Sequence, residues 1–570
     1  MDPVHRIRCN AGTVALLLVL AGNTGDLSAQ YQPRLDFGAK FEPTATVLHG
    51  AGQSDGLDFA FYTSIMGPEH QPAFYMDYTR ADRSPERQRE EVAEWEAILG
   101  AYGAYMGLQI GLSFTKDGVA EAVIAGEHDQ GLRTLARELD TLGRPVFMRI
   151  GYEANGFWNG YTPSSYRQAF VHIADLLRAE TDRIATVWCI HPLDGLSRLL
   201  EFYPGDEAVD WWSVDLFEPK HIRSTKTVDF LEEAQQRGKP VLIGESTPTK
   251  VGVQTGLTSW TEWYGPYFDL IADYPVIKGF SYINRDWAYV GGQPTWGNAR
   301  LEHNPELACR YRSEIAKPIF EHSGTPSSIR LLAAAQSTYA TQSSPEQTHH
   351  TDQFLRVRSA DGDTIESFVR FDLAGLSLGN IDVVRLWLLG NNSSSNDIDA
   401  TVYALDSGDW QEEALTWSTR PGRASQPIGH MEINDNGKTK TKYVDVTGHV
   451  RSAIQGSASA VGFCITELSS SSATAELHSD DFSDGYPPYL HFVHDGAWWA
   501  AVDCGQVGLG SDRRSLHLIP GNGSRFAVRA ILNSGAARST PSAPAFSLSG
   551  RCTAWRQAVD GMYIVAHPAR

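Results

Sequence analysis

At 570 residues, with 42% apolar and 20% charged side chains, the chain is too long for one hydrophobic core and has the composition of a protein that folds in water. Its net charge of −20 excludes a polyanionic nucleic-acid partner held by bulk charge. Six cysteines without a C-x-x-C pair exclude a dense disulfide framework and a thiolate metal site; a late bridge between Cys504 and Cys552 is the one pairing the spacing suggests.

In chain order, His5, Arg6 and Arg8 precede the apolar run Val14 to Ala21 and the small residues before Gln30, so residues 1–29 are expected to be a signal peptide cleaved near Ala29, with a secreted mature chain. The run falls far below the ~20 residues that span a bilayer. From residue 30 to 320, short apolar runs alternate with helical segments, which predicts an α/β fold, a (β/α)8 TIM barrel. Eight strands are expected, at Asp58–Ser64, Phe74–Tyr78, Leu108–Phe114, Val146–Gly151, Ala185–Ile190, Trp211–Phe217, Val241–Gly244 and Gly279–Ile283. Between them, Ser84-Pro85-Glu86 and Asn304-Pro305-Glu306 are helix openings, and Ser164 to Glu180 places Phe170, Ile173, Leu176 and Leu177 on one core-facing stripe.

After Phe320 a polar linker, 321–328, leads to a segment from 329 to 493 in which helix signals vanish and alternating runs appear (Phe368–Leu373, Val384–Leu389, Thr401–Leu405, Tyr443–Val446). This predicts an all-β jelly-roll, a β-sandwich, in which Trp410 and Trp417 are core residues before they are sugar platforms. Residues 494–570 carry no periodicity that assigns a fold. Because the barrel is expected to have its own core, residues beyond about 325 are expected to be dispensable for hydrolysis of soluble oligosaccharides.

The chemistry is expected at the strand ends. Arg149-Ile-Gly-Tyr152-Glu153-Ala-Asn155-Gly156-Phe-Trp158 follows the fourth strand, and Gly244-Glu245-Ser246 closes the seventh. Both glutamates end buried strands at the face where such barrels place their sites, where a charge is costly without a function. Two carboxyls facing each other across a sugar suit glycoside hydrolysis, one protonated as acid and one ionised as nucleophile. Stacking platforms are expected from Trp158, Trp188, Trp212, Trp287 and Trp296, with Tyr161 and Tyr289; Trp158 and Trp287 each follow a strand end by a few residues. His191 either hydrogen-bonds a hydroxyl or a glutamate, or is structural.

The segment around Glu153 resembles glycoside hydrolase family 26, the family of β-mannanases, β-1,3-xylanases and some mixed-linkage glucanases. There the acid/base strand reads as arginine, three residues ending in histidine, then Glu-Met-Asn-Gly-x-Trp; Arg149, Glu153, Asn155, Gly156 and Trp158 match. The resemblance spans roughly residues 40–320 and implies a retaining barrel with Glu153 as acid/base and Glu245 as nucleophile. Val209-Asp210-Trp211-Trp212-Ser-Val-Asp215 is similar to another strand of the family, which adds Asp215 to the site. Two positions depart. Tyr152 stands where the mannanases have histidine, which tells against mannan, and Phe217 stands where a tyrosine would hydrogen-bond the nucleophile, which leaves that task to another donor, Tyr282 being the candidate. The second domain, with its Trp-Gln-Glu-Glu-Ala-Leu-Thr-Trp segment, resembles the DNRLRE-type carbohydrate-binding-like modules.

The expected function is that of a secreted retaining endo-glycoside hydrolase acting on a β-linked cell-wall or algal polysaccharide, with Arg149, Tyr152, Asn155, Trp158, Trp188, His191, Asp215, Tyr282 and Trp287 around the substrate. The alternatives are a non-catalytic carbohydrate-binding or adhesion protein and a polysaccharide lyase. No cofactor is expected beyond a structural calcium in the Asn391 to Asp399 loop of the sandwich. The expected partner is the polysaccharide alone, with no nucleic acid and no membrane after signal removal, and the chain is expected to be a monomer.

Overall fold

The computed structural model describes residues 31–494 except 54–55, 103–105, 116–117, 290–292, 324–327, 361, 375, 377–379, 393–397, 434–438, 468–472 and 483–485, together with Cys504 and four short strands between 516 and 563. The expected signal peptide lies outside the described residues, as does most of the expected calcium loop. Eight parallel strands close a barrel: β1 (Val47–Gly52), β2 (Phe74–Arg80), β3 (Gly107–Ser113), β4 (Val146–Ile150), β5 (Ile184–Ile190), β6 (Trp211–Leu216), β7 (Val241–Ser246) and β8 (Ile277–Tyr282), with β8 and β2 both pairing β1. Seven of these overlap the expected strands.

The first expected strand is wrong, and the reason is physical. Asp58–Ser64 lies in a helix, Gly56–Met66, that is buried over its whole length. One side contributes Phe59, Tyr62 and Ile65 to the barrel core, and the other turns Leu57 and Phe61 to a second domain. A helix apolar all round has no amphipathic period, so a short stretch of it reads as a strand. The true β1, Val-Leu-His-Gly-Ala-Gly, hides behind its glycines: a Cβ at Gly50 would come within 2.0 Å of the Phe74 ring. The helix openings at Ser84 and Asn304 form as expected, each side chain accepting from an amide three residues on.

The barrel interior is layered. Leu48, Phe74, Phe147, Ala185, Val187, Trp211 and Leu242 fill the lower part. Above them the inward positions turn polar, with Gln109, Arg149, Ser213 and Asp215 all fully buried. That change in chemistry marks the end of the barrel where a site is built.

Residues 328–494 form two antiparallel sheets. One orders Ser328–Ala333, Tyr489–His494, Ile381–Asn392, Ala475–His478 and Phe354–Val357, with Lys440–Asp445 also paired to the central strand; the other orders Gln336–Thr341, Ile365–Asp372, Ala460–Glu467, Ile398–Ala404 and Gly429–Ile433. Val369, Phe371, Leu386, Val402, Phe463 and Phe492 belong to one core. One helix, Thr447–Gln455, interrupts a segment expected to be free of them. Trp410 is a core residue, as expected.

Of the expected linker, residues 321–323 are held against the barrel, Ser328 opens a strand, and 324–327 lie outside the described residues. Phe320–Glu321 pairs with β1, His322 hydrogen-bonds His49 through Nδ1 at 3.0 Å, and the Ser323 amide donates to Gln71. Nor is the sandwich a tethered appendage. Leu57 and Phe61 pack with Trp387, Leu389 and Tyr486, Phe61 meets Tyr489 edge-on at 4.9 Å, and Tyr486 donates to Asp58 Oδ1 at 3.2 Å. Arg300, 1% exposed, lies with its guanidinium 4.2 Å from the Phe61 ring centre and 4.1 Å from that of Tyr486.

The expected Cys504–Cys552 bridge does not form: Cys504 is joined to Cys309 on the last barrel helix, Pro305–Ile315. Spacing along the chain missed this partner because folding brings together cysteines 195 residues apart. Residues 508–570 are a separate unit, described only as two strand pairs, Leu516–Pro520 with Phe526–Ala530 and Ala558–Val559 with Met562–Tyr563.

Candidate active site

Glu153 and Glu245 stand at the carboxyl ends of β4 and β7, 9% and 7% exposed. The chain reaches Glu153 through a tight reversal in which Gly151 has φ +60° and Glu153 itself φ +49°. A left-handed glutamate costs about 1–3 kcal/mol and persists only where its surroundings over-determine it. Here they do. The Ala154 backbone amide donates to the Cys189 carbonyl at 2.9 Å, and the Asn159 side chain donates through Nδ2 to the carbonyls of Tyr152 and Glu153 at 2.9 and 3.1 Å. At Gly151 any Cβ would meet the rings of Phe114 and Tyr166 at 2.7 Å.

Glu245 is placed by irregular register on both sides of β7, between Val214 and Leu216 on β6 and between Ile243 and Ser246 facing β8. Such a bulge re-aims a side chain out of strict alternation. The residue before it must be glycine: a Cβ at Gly244 would sit 2.4 Å from Ser213 Oγ, 2.8 Å from Asp215 Oδ1 and 3.0 Å from Arg149 Cδ.

Arg149 joins these parts. Wholly buried on β4, it donates through Nη2 to Glu245 Oε1 at 2.8 Å and through Nη1 to Asp215 Oδ2 at 3.2 Å. Burial alone would lower its pKa, but Glu245 and Asp215 outweigh burial and hold it well above the ordinary arginine range. Asp215 also accepts from the Cys189 thiol and from the Glu245 amide. Burial, and after it the Glu245 charge, pushes Asp215 up to about 8 against the pull of Arg149.

Glu153 is in the opposite situation. Its Oε2 accepts from the Trp158 indole at 2.7 Å, and it makes no ion pair among the described residues. Burial, then the charges of Asp215 and Glu245, raise its pKa well above the ordinary glutamate range. One guanidinium stands among three carboxyls and pairs with Glu245 and Asp215, which leaves Glu153 without a cation to favour its ionised form. The arrangement therefore favours the protonated form of the carboxyl on β4 and pairs the carboxyl on β7 with a guanidinium.

The other expected residues divide. Tyr152 lines the site, its ring centre 5.4 Å from the Arg149 guanidinium. Trp158 is 45% exposed beside Glu153, next to Phe157 at 85%. Asn155 is spent on structure, since its Nδ2 donates to the His191 carbonyl and to Asp194 and its Oδ1 accepts from the His191 amide. Arg149 and Asp215 lie beneath the glutamates, fully buried, and act through them. His191, 6% exposed, is walled by the rings of Trp158, Phe217 and His221, and burial depresses it to about 3. Trp287 packs on Trp296 and donates to Thr247 Oγ1, in one cluster with Phe217.

Four of the expected residues point elsewhere. Trp188 and Trp212 are fully buried against each other, Tyr203 and Phe230, between strands and helices and away from the mouth. Tyr289 turns to the sandwich, sharing a hydrogen bond with His478. Tyr282 does not serve Glu245, because its hydroxyl donates to the Ala299 carbonyl at 2.6 Å beside Tyr264. Tyr78 on β2 lies beside this group, its ring centre 5.7 Å from the Arg149 guanidinium and 5.3 Å from the Tyr152 ring. The alternation Phe74, Met76, Tyr78 on one face of β2 was the available signal for it.

Residues 115–288 match the family model of glycosyl hydrolase family 26, and residues 329–493 match carbohydrate-binding module family 96. A β-1,3-xylanase of a Vibrio species is 28% identical over 241 residues, 37% of this chain and 52% of that protein. A β-1,3-xylanase of an Alcaligenes species is 27% identical over 241 residues, 37% and 51%. The chain thus spans about half the length of the curated relatives it matches. Among solved structures, the catalytic domain of a Bacillus family 26 endo-β-1,4-mannanase aligns over 49% of this chain and 88% of its own, at 18% identity and a TM-score of 0.38.

Proposed function

We propose that this chain, which carries a glycoside hydrolase family 26 domain followed by a family 96 carbohydrate-binding module, is a secreted endo-acting enzyme that cleaves a β-linked polysaccharide with retention of configuration. Glu153 gives its proton to the leaving oxygen as Glu245 attacks the anomeric carbon. Glu153 then takes a proton from the water that releases the glycosyl-enzyme ester. The observation that carries these roles is the unequal support of the two carboxyls: Glu245 is ion-paired to Arg149, whereas Glu153 has the Trp158 indole and no cation. Trp158 and Phe157 form an exposed lip on the acid side, where a leaving sugar would stack.

The substrate we infer is β-1,3-xylan, the polymer named by the two curated relatives. Tyr152 in place of the mannanases' histidine supports xylan over mannan. Export rests on the charged, apolar and small-residue pattern of residues 1–29.

The test is turnover on a polysaccharide panel with product sizing, with the first-formed anomer followed by NMR. Glu153→Gln and Glu245→Gln are each expected to lower turnover by at least ~10²-fold at an unchanged melting temperature. A variant keeping a tenth of wild-type turnover removes that residue from its role, and initial release of the opposite anomer overturns the double displacement.

A further inference from the structure

A series of closely spaced rings runs from the acid glutamate to the loop that follows β8. Trp158, which donates to Glu153, lies 5.4 Å from His191 between ring centres. His191 lies 5.8 Å from Phe217, Phe217 5.4 Å from Trp296, and Trp296 5.0 Å from Trp287. Trp287 is tied to the nucleophile's side: its indole donates to Oγ1 of Thr247, and it shares a cluster with Met76, whose Sδ accepts from Arg149 at 3.5 Å. A short turn joins Trp287 to the second domain. The Asp286 carboxylate accepts from the amides of Ala288 and Tyr289 at 3.1 and 3.3 Å, which holds Trp287 and Tyr289 in one piece. The Tyr289 hydroxyl shares a 2.7 Å hydrogen bond with Nε2 of His478, and its ring lies 5.1 Å from Phe482, which stacks on the His478 ring at 3.8 Å. His478 ends a strand of the sandwich, Ala475–His478, and is buried.

We propose that the sandwich completes the substrate site of the barrel: His478, acting through Tyr289, is a positioning residue for the loop that carries Trp287, the last ring of this series. This rests on the reading of Glu153 and Glu245 as the reacting pair. The Trp287 indole has a single N–H, spent on Thr247, and Tyr289 gives the same turn a second fixed point outside the barrel. A ring holds a sugar only at van der Waals distance, so a small displacement of the loop forfeits much of the contact. Stacking on a neutral ring is the same before the reaction and at its transition state. Its loss therefore raises KM and spares kcat. The domain matched as a carbohydrate-binding module thus serves the hydrolysis of short soluble chains too, through the barrel and without holding those chains itself.

The experiment measures kcat and KM on a soluble oligosaccharide of the cleaved polymer, in the full chain, for Tyr289→Phe, His478→Phe, their double variant, and Trp287→Leu with and without Tyr289→Phe. Tyr289→Phe deletes the hydroxyl and keeps the ring beside Phe482. It is expected to raise KM about twofold to tenfold, the range of a neutral hydrogen bond, with kcat and the melting temperature near wild type. His478→Phe should raise KM to the same extent, and the double variant no further. In the Trp287→Leu background Tyr289→Phe should be silent, since the ring it positions is gone. Wild-type KM in Tyr289→Phe overturns the proposal. So does a fall in kcat at unchanged KM, which is what loss of folded enzyme produces, and so does a full second rise in KM in the Trp287→Leu background. Glu153→Gln run alongside separates the failures: if it retains turnover, the reading of the site falls; if it is inactive while Tyr289→Phe keeps wild-type KM, only the link through His478 falls.

Discussion

Cutting the chain after Ser323 is expected to damage the barrel rather than release it. Leu57 and Phe61, 1% and 7% exposed on the helix that follows β1, owe that burial in part to Trp387, Leu389 and Tyr486 of the sandwich. Uncovering two such side chains costs up to about 3–6 kcal/mol, at ~1.5–3 kcal/mol for each if fully exposed. Arg300 would also lose the Tyr486 ring from one face of its guanidinium. A domain's whole stability is about 5–15 kcal/mol, so the truncated barrel should melt far below the full chain and lose activity on oligosaccharides and polymer alike. A gentler probe is Trp387→Ala, since the Trp387 Cη2 atom lies 2.7 Å from where a Cβ on Gly56 would stand; removal of a buried tryptophan costs about 3–5 kcal/mol. The assay is thermal unfolding of the three proteins beside kcat on a soluble oligosaccharide. A truncated barrel that melts within a few degrees of the full chain, with wild-type kcat, would refute the reasoning and restore the view of the sandwich as a removable module.

The remaining predictions concern the site. Glu153 must carry its proton to act as acid, so activity should fall as pH rises through its elevated ionisation; the Trp158 indole favours the ionised form, so Trp158→Phe should move the alkaline limb of the kcat/KM profile to higher pH, and a limb moving to lower pH would count against Glu153 as the acid. Gly244→Ala forces a Cβ against Ser213, Asp215 and Arg149; strain of ~1–3 kcal/mol in the group that holds Glu245 should lower kcat at least tenfold with little change in KM, and wild-type kinetics would show that the Arg149 bridge is not needed.

What the sequence determined by itself was periodicity and termini. Strands buried on both faces read as apolar runs, so β2 to β8 were legible, as were the proline-bearing helix openings and the places of Glu153 and Glu245 at the ends of β4 and β7. Local pattern failed where burial came from two directions at once. The helix Gly56–Met66 is apolar all round because it is shared by two domains, and Trp188 and Trp212, read as platforms, are packing between strands and helices. Only the tertiary structure decided which groups meet across the barrel: one arginine between two carboxyls, a tyrosine from β2 beside that arginine, and Cys309 with Cys504. Those contacts join strands far apart in the chain, and sequence spacing carries no information about distances set by closure of the barrel.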